Sequence, residues 1–125
     1  MDFTKPKSLG QDIDADYEQL TNCGGYDHNY CIDNPNIKTP FATIHSPKSG
    51  IKLTSYTDLP GVQLYTGNKL GTGDDEKGGK YAKRAGVCLE TQFYPDTPNN
   101  PNFPQNIFAP REVFSSRTIY QVELV

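Results

Sequence analysis

Short segments of alternating apolar and polar side chains, separated by turn-forming residues, run through the whole chain. The 125 residues include 11 glycines and 10 prolines, and tryptophan is absent. The clearest segment is residues 26–32, whose two sides are Tyr26, His28, Tyr30 and Ile32 on one, and Asp27, Asn29 and Cys31 on the other. A period of two is the spacing of a β-strand. The pattern therefore predicts an all-β protein built from short antiparallel strands and turns.

Further strand candidates follow at short intervals, each bounded by glycine, proline or asparagine. They are "FATIHS", "IKLTSYT", the segment between Gly61 and Gly67, residues 85–93 and "SSRTIYQVELV". In residues 85–93 the two predicted faces are Ala85, Val87, Leu89, Thr91 and Phe93 on the apolar side, and Cys88, Glu90 and Gln92 on the other. Residues 1–25 are predicted to be irregular, with one helical turn at "LGQDI".

Length and charge exclude several classes of protein. A chain of 125 residues fits one domain, predicted over residues 1–125. The net charge is −3 and the lysines and arginines are scattered, so neither a nucleic-acid surface nor an anionic membrane is indicated as partner. No apolar run approaches the ~20 residues of a membrane span, and "MDFTKPKSLG" lacks the apolar region of a signal peptide. Three cysteines, an odd number, fit reduced thiols, and the predicted location is cytoplasmic.

Two strings have metal-binding residue types without metal-binding spacing. Cys23, His28, Cys31 and Cys88 could form a zinc set, but "CGGYDHNYC" has no C-x2-C pair, and a strand here turns His28 and Cys31 to opposite faces. "DIDADY" supplies the first three acids of a calcium loop, but Tyr17 stands where the glycine belongs. Free thiols and a metal-free chain are the preferred interpretation.

Two loops have motif-like composition. The loop "GTGDDEKGGKY" has the glycines of a phosphate-binding loop, but Tyr81 replaces the Ser/Thr and three consecutive acids repel phosphate, so a solvated loop is predicted. Proline recurs at every third position from Pro95 to Pro104. This spacing allows a polyproline ligand for a partner domain, but stiffening of a loop beside a cleft is preferred.

Three polar side chains stand on predicted strands, each opposite an apolar face: Asp27, Gln63 and Glu90. If their strands lie in one sheet, its polar face can exchange several hydrogen bonds with a neutral polyhydroxylated ligand. The alternative is that they are the solvated face of an antiparallel sheet. The pattern alone leaves both interpretations open.

Four long strings resemble the aldose 1-epimerase (galactose mutarotase) family. They are "DFTKPKSLGQDI", "GGYDHNYCID", "LPGVQLYTGNKL" and "KRAGVCLETQFYPDTPNNPNFP", and the resemblance runs in the family's order through nearly all 125 residues. It implies an antiparallel β-sandwich that is the C-terminal portion of a β-supersandwich. It also implies interconversion of the α and β anomers of free hexoses such as glucose and galactose, without cofactor or metal.

The resemblance also implies roles for the three polar residues. The acid of "G-x-D-H-N" falls on Asp27 and the glutamine of "P-G-x-Q-x-Y-T-G-N" on Gln63, both as sugar-binding groups. The glutamate of "L-E-x-Q-x-x-P-D" falls on Glu90, the general base. The family's general acid is a histidine of its N-terminal portion, and His28 and His45 match other positions.

We therefore expect a truncated aldose 1-epimerase, with Met1 at a point where a full-length relative continues upstream. It would keep the base and sugar contacts but lack the acid. A non-catalytic carbohydrate-binding fragment and a fragment without a stable site are the alternatives. The expected partners are a hexose and, through unpaired strand edges and the face of Val87, Leu89 and Phe93, either a second copy or an N-terminal half.

Overall fold

The computed structural model describes residues 1–71 and 81–125. The predicted glycine-rich loop falls mainly on residues 72–80, outside these ranges. The described strands are β1 (Asp27–Cys31), β2 (Ala42–Ser46), β3 (Ile51–Thr57), β4 (Gly61–Tyr65), β5 (Cys88–Gln92) and β6 (Thr118–Leu124). The described helices are α1 (Glu18–Cys23) and two 3-10 turns at Leu9–Gln11 and Thr97–Asn99.

Strands β1, β4 and β5 form one sheet in the order β1-β4-β5. Main-chain hydrogen bonds run from Thr66 N–H to the Tyr26 carbonyl and from Ile32 N–H to the Pro60 carbonyl. The residue number falls on one strand as it rises on the other, so β1 and β4 are antiparallel. Strand β4 follows the predicted alternation, because Val62 and Leu64 are buried while Gln63 between them is half-buried.

Strands β2, β3 and β6 form a second antiparallel sheet in the order β2-β3-β6. Leu53 at its centre is paired with Ile44 on one side and Val122 on the other, so these side chains share one face. Two residues along, Ile51 pairs with Leu124 on that same face. Parts of this apolar face are open, since Val122 and Leu124 are 65% and 81% exposed.

All six strand predictions and the all-β class are confirmed, but helix α1 was not predicted. Its N-cap residue Tyr17 makes no side-chain capping bond, so the sequence carries no start signal there. The helix depends on packing against the rest of the chain, because Leu20 is buried. Gly24 ends the helix in the left-handed conformation. No helix within the described residues is long and apolar enough to cross a membrane.

The chain divides into two compact units, and the divisions fall within β1, β4 and β5. The first unit holds residues 1–28 and 63–90, and its buried apolar side chains are Ile13, Leu20, Tyr26 and Leu64. The second holds residues 29–62 and 91–125; its buried apolar side chains are Leu59 and Val62, and the hydroxyl-bearing Ser55, Thr57 and Thr97 are fully buried.

The proline-rich loop of the second unit is a series of tight turns. Asp96 adopts a left-handed conformation (φ 59°) ahead of the turn at Thr97–Asn99. Its carboxylate accepts hydrogen bonds from the side-chain amides of Asn99 and Asn100, at 2.5 and 3.2 Å. The segment therefore does not form one continuous polyproline helix, and stiffening of the loop by its prolines stays a prediction.

Candidate functional site

Two glycines set the direction in which the chain enters β1. Gly24 (φ 66°) terminates α1, and its N–H bonds back to the Thr21 carbonyl. Gly25 (φ 141°) lies so close to the Asn68 side chain that a Cβ there would overlap it. Only glycine meets both conditions, so the "GGYD" string is a required turn from helix into strand.

The residue before Asp27 is anchored by its main chain. Tyr26 N–H donates to Thr66 Oγ1 at 3.1 Å, and Asn68 Nδ2 donates to the Tyr26 carbonyl at 2.9 Å. The Tyr26 side chain is fully buried against Phe3, with the ring centroids 5.1 Å apart, and burial raises the pKa of its hydroxyl. These contacts fix the backbone from which Asp27 projects.

Asp27 and Gln63 meet across β1 and β4. Gln63 Nε2 donates to Asp27 Oδ1 at 2.8 Å, and both side chains are half-buried. A hydrogen bond to a carboxylate is stronger than one between neutral groups, so it favours the orientation in which Gln63 Nε2 faces Asp27. One carboxylate oxygen is enough for this bond, and the second can accept from another donor.

Glu90 lies on β5, the strand on the other side of β4 from Asp27. Its side chain is exposed, and within residues 1–71 and 81–125 no hydrogen bond or ion pair engages its carboxylate. The three residues predicted from sequence therefore occupy three neighbouring strands of the same sheet, and all belong to the first compact unit. Asp27 and Gln63 are directly bonded, while Glu90 is open to solvent.

This arrangement supplies hydrogen-bonding groups and one accessible carboxylate. A carboxylate accepts hydrogen bonds from hydroxyl groups, and an amide both donates and accepts. The carboxylate of Glu90 can also take up a proton, the property a general base requires. Among the described residues, no three His, Cys, Asp or Glu side chains are grouped as metal ligands would be.

Arg84 contacts the turn that precedes β1, and its role was missed by sequence analysis. Its guanidinium donates to both oxygens of Asp14, at 2.8 and 2.6 Å, and to the Gly24 carbonyl at 2.9 Å. Arg84 therefore joins three parts of the chain: its own segment, the segment of Asp14, and Gly24 at the end of α1, just before β1 begins. Hydrogen bonds from the Arg84 guanidinium lower the pKa of Asp14. The sequence signal was only the short "KRAG" string, since the contacts span 60 to 70 positions.

Antiparallel sheets with polar side chains on adjacent strands define an all-β protein whose first sheet carries a candidate ligand-binding face. The family model described as aldose 1-epimerase matches residues 1–121. The chain therefore belongs to the aldose 1-epimerase family.

Relatives agree with this assignment. The chain is 42% identical over 99 residues to galactose mutarotase from Bos taurus and to that from Homo sapiens. It is 36% identical over 99 residues to aldose 1-epimerase from Haemophilus influenzae. The matched segment covers 78 to 79% of this chain but 28% of each of these relatives. The chain thus spans less than a third of their length.

Proposed function

We propose that this chain is part of an aldose 1-epimerase that interconverts the α and β anomers of free hexoses such as glucose and galactose. Membership of the family supports the reaction class. The bonded pair Asp27–Gln63, next to the strand of the accessible Glu90, carries the proposal for the site. Asp27 and Gln63 would bind sugar hydroxyls, and Glu90 would be the general base.

The reaction needs a base and an acid that act together. The base removes the proton of the C1 hydroxyl, the C1 carbonyl forms, and the bond from C1 to the ring oxygen breaks as that oxygen is protonated. Rotation about C1–C2 and the reverse steps give the other anomer. Each positioned proton-transfer group contributes roughly 10²–10⁴-fold. Without its partner, Glu90 would supply only half of this catalysis.

Neither histidine of this chain is assigned the role of the acid. His28 accepts the Asp27 N–H at its Nδ1 atom, and its Nε2 atom is buried. His45 lies on β2 in the second sheet and is exposed. These placements support an active site in which the acid comes from a part of the family domain that this chain does not match.

A non-catalytic carbohydrate-binding fragment is the second candidate. It is favoured by one observation: the Asp27–Gln63 bond forms entirely from residues of this chain. A site held in this way can bind hydroxyls without an acid.

Saturation-transfer NMR and polarimetry on the purified chain, with galactose and glucose, separate these functions. An active epimerase gives both a binding signal and faster mutarotation than buffer. Binding without faster mutarotation, both in the chain alone and in a mixture with an N-terminal portion of a family member, selects the carbohydrate-binding fragment. Absence of both signals would contradict any sugar site in this chain.

We also propose that the chain associates through its second sheet, with another copy or with an N-terminal half. The β6 surface, formed by Tyr120, Val122 and Leu124, is apolar and between 49% and 81% exposed. In the order β2-β3-β6, strand β6 stands at an edge, which offers its outer backbone groups to another strand. The apolar face of β5 offers less exposed surface for association, since Val87 is 38% exposed and Leu89 is half-buried.

Light scattering at increasing protein concentration tests this association. We expect a mass above that of one chain, and we expect Val122→Lys to lower it. Thr43→Lys, an exposed position on the opposite edge strand β2, is the control. A wild-type chain that stays monomeric at all concentrations, alone and with an N-terminal portion of a family member, would contradict the proposal.

A single partial domain over residues 1–125 and a cytoplasmic location stay predictions.

A further inference from the structure

We propose that His28 is a positioning residue for Asp27, acting through the main chain rather than through the sugar. This inference rests on the proposed function, since it assigns Asp27 to sugar binding. The observation that carries it is the hydrogen bond from the Asp27 N–H to His28 Nδ1, at 3.0 Å.

The position of Asp27 in the sheet explains why it needs such an acceptor. Strand β1 is at the edge of the order β1-β4-β5, and the Tyr26 carbonyl faces the β4 side, where it accepts the N–H of Thr66, the residue directly after β4. In an antiparallel pair, successive residues point their main-chain groups alternately toward the partner strand and away from it. The Asp27 N–H therefore points away from β4, where the described sheet has no strand to receive it. The His28 ring supplies the acceptor instead.

This bond defines the state of the imidazole. A ring nitrogen accepts a hydrogen bond only when it carries no proton, so neutral His28 holds its proton on Nε2. The Nε2 atom is buried, and no partner for it occurs among the described residues. A buried donor left unpaired is unfavourable. An apolar side chain could fill the same space without that penalty. It could not accept the Asp27 N–H as His28 Nδ1 does.

The bond links His28 to the sugar-binding pair. Asp27 is held at its N–H by His28 and at its carboxylate by Gln63. The first contact fixes the backbone torsion angles that aim the side chain, and the second fixes the carboxylate itself. Loss of the hydrogen bond to His28 leaves the residues of the site in place but lets the Asp27 carboxylate move away from the position that it holds beside Gln63.

The tautomer of His28 tests the geometry without any sugar. Long-range ¹H–¹⁵N NMR spectra of the full chain, at a pH where the ring is neutral, should show an unprotonated Nδ1 and a proton on Nε2. The resonances are assigned with a His45→Asn variant, which leaves His28 as the one remaining histidine. A proton on Nδ1 would overturn the proposal.

Galactose binding tests the consequence. His28→Leu should weaken binding by about 3- to 10-fold, the effect of one lost hydrogen bond. His28→Asn, whose side-chain oxygen lies near the place of Nδ1, should stay within about 2-fold of wild type. A simple packing role predicts the opposite order, since leucine fills the site better than asparagine. His45→Leu is the matched control and should bind as wild type does.

The outcomes of the two experiments are distinguishable. If wild type binds galactose and His28→Leu binds equally well, the positioning role is wrong while the proposed function stands. If wild type binds no galactose, the sugar site is wrong, and the tautomer still decides whether His28 holds Asp27. Circular dichroism of each variant shows whether it is folded, and His28→Asn keeps the binding test decisive if the leucine variant unfolds.

Discussion

Gln63 Nε2 donates to Asp27 Oδ1 at 2.8 Å, although the two residues are 36 positions apart in the chain. The bond holds the carboxylate and amide of two neighbouring strands in one arrangement before any ligand arrives. A ligand hydroxyl that meets this pair does not have to order both side chains, which favours binding. Changes at Asp27 therefore affect two proposed sugar contacts together.

Asp27→Ala should weaken hexose binding by roughly 1–3 kcal/mol. The substitution removes a charged acceptor, and with it the hydrogen bond from Gln63 Nε2. Titration with galactose, followed by NMR, measures the change. Asp16→Ala, at an exposed position of the first unit, is the control. Unchanged affinity in Asp27→Ala would favour a merely solvated sheet face at this residue.

Glu90→Gln should lower mutarotase activity by about 10²-fold or more while sugar affinity changes little. Glutamine keeps the shape of the side chain but cannot take a proton from the C1 hydroxyl. Polarimetry is carried out on the chain mixed with a separately expressed N-terminal portion of a family member, which we expect to restore the missing acid. Glu18→Gln, on helix α1, is the control. Full activity in Glu90→Gln would remove this residue from the mechanism.

Gly25→Ala should destabilise the fold by roughly 1–3 kcal/mol. The backbone at Gly25 has φ 141°, and an added Cβ would overlap the Asn68 side chain. Urea unfolding measures the loss. Gly10→Ala is the matched control, because a Cβ there meets only Ser8 Oγ at 3.7 Å, an ordinary contact. Equal stability of the two variants would show that Asn68 does not confine Gly25.

The Asp14–Arg84 pair should make stability depend on pH in the acid range. Hydrogen bonds from Arg84 lower the pKa of Asp14 below its value in the unfolded chain. The pair therefore stabilises the folded state above the unfolded value of about 3.9, and this contribution is lost as pH falls through the folded pKa. The effect should be small and weakened by salt, since the Asp14 side chain is 75% exposed.

Urea unfolding midpoints measured between about pH 5 and pH 2, the range in which carboxyl groups titrate, check this prediction. Asp14→Asn should flatten part of the decline, and Asp16→Asn should follow the wild-type curve. A wild-type slope that survives in Asp14→Asn would show that other carboxyls produce it.

The local sequence pattern was sufficient to predict the strands because each strand has its own alternation of side chains and its own bounding turn residues. The alternation around Gln63 and the turn residues that bound it describe β4 almost to the residue. Helix α1 has no such signal: it is six residues long and depends on the burial of Leu20 and on the contact of Arg84 with Gly24. Pattern reasoning fails where an element is too short to be stable on its own.

The sequence by itself determined the all-β class and placed Asp27, Gln63 and Glu90 opposite apolar faces, because a strand's period of two is a property of neighbouring residues. Only the tertiary structure decided that β4 lies between β1 and β5 and that Gln63 bonds to Asp27. It alone also showed that Arg84 reaches Asp14 and that His28 accepts the Asp27 N–H. Strand order and side-chain direction depend on the free energy of packing the whole chain, and no local pattern contains that information.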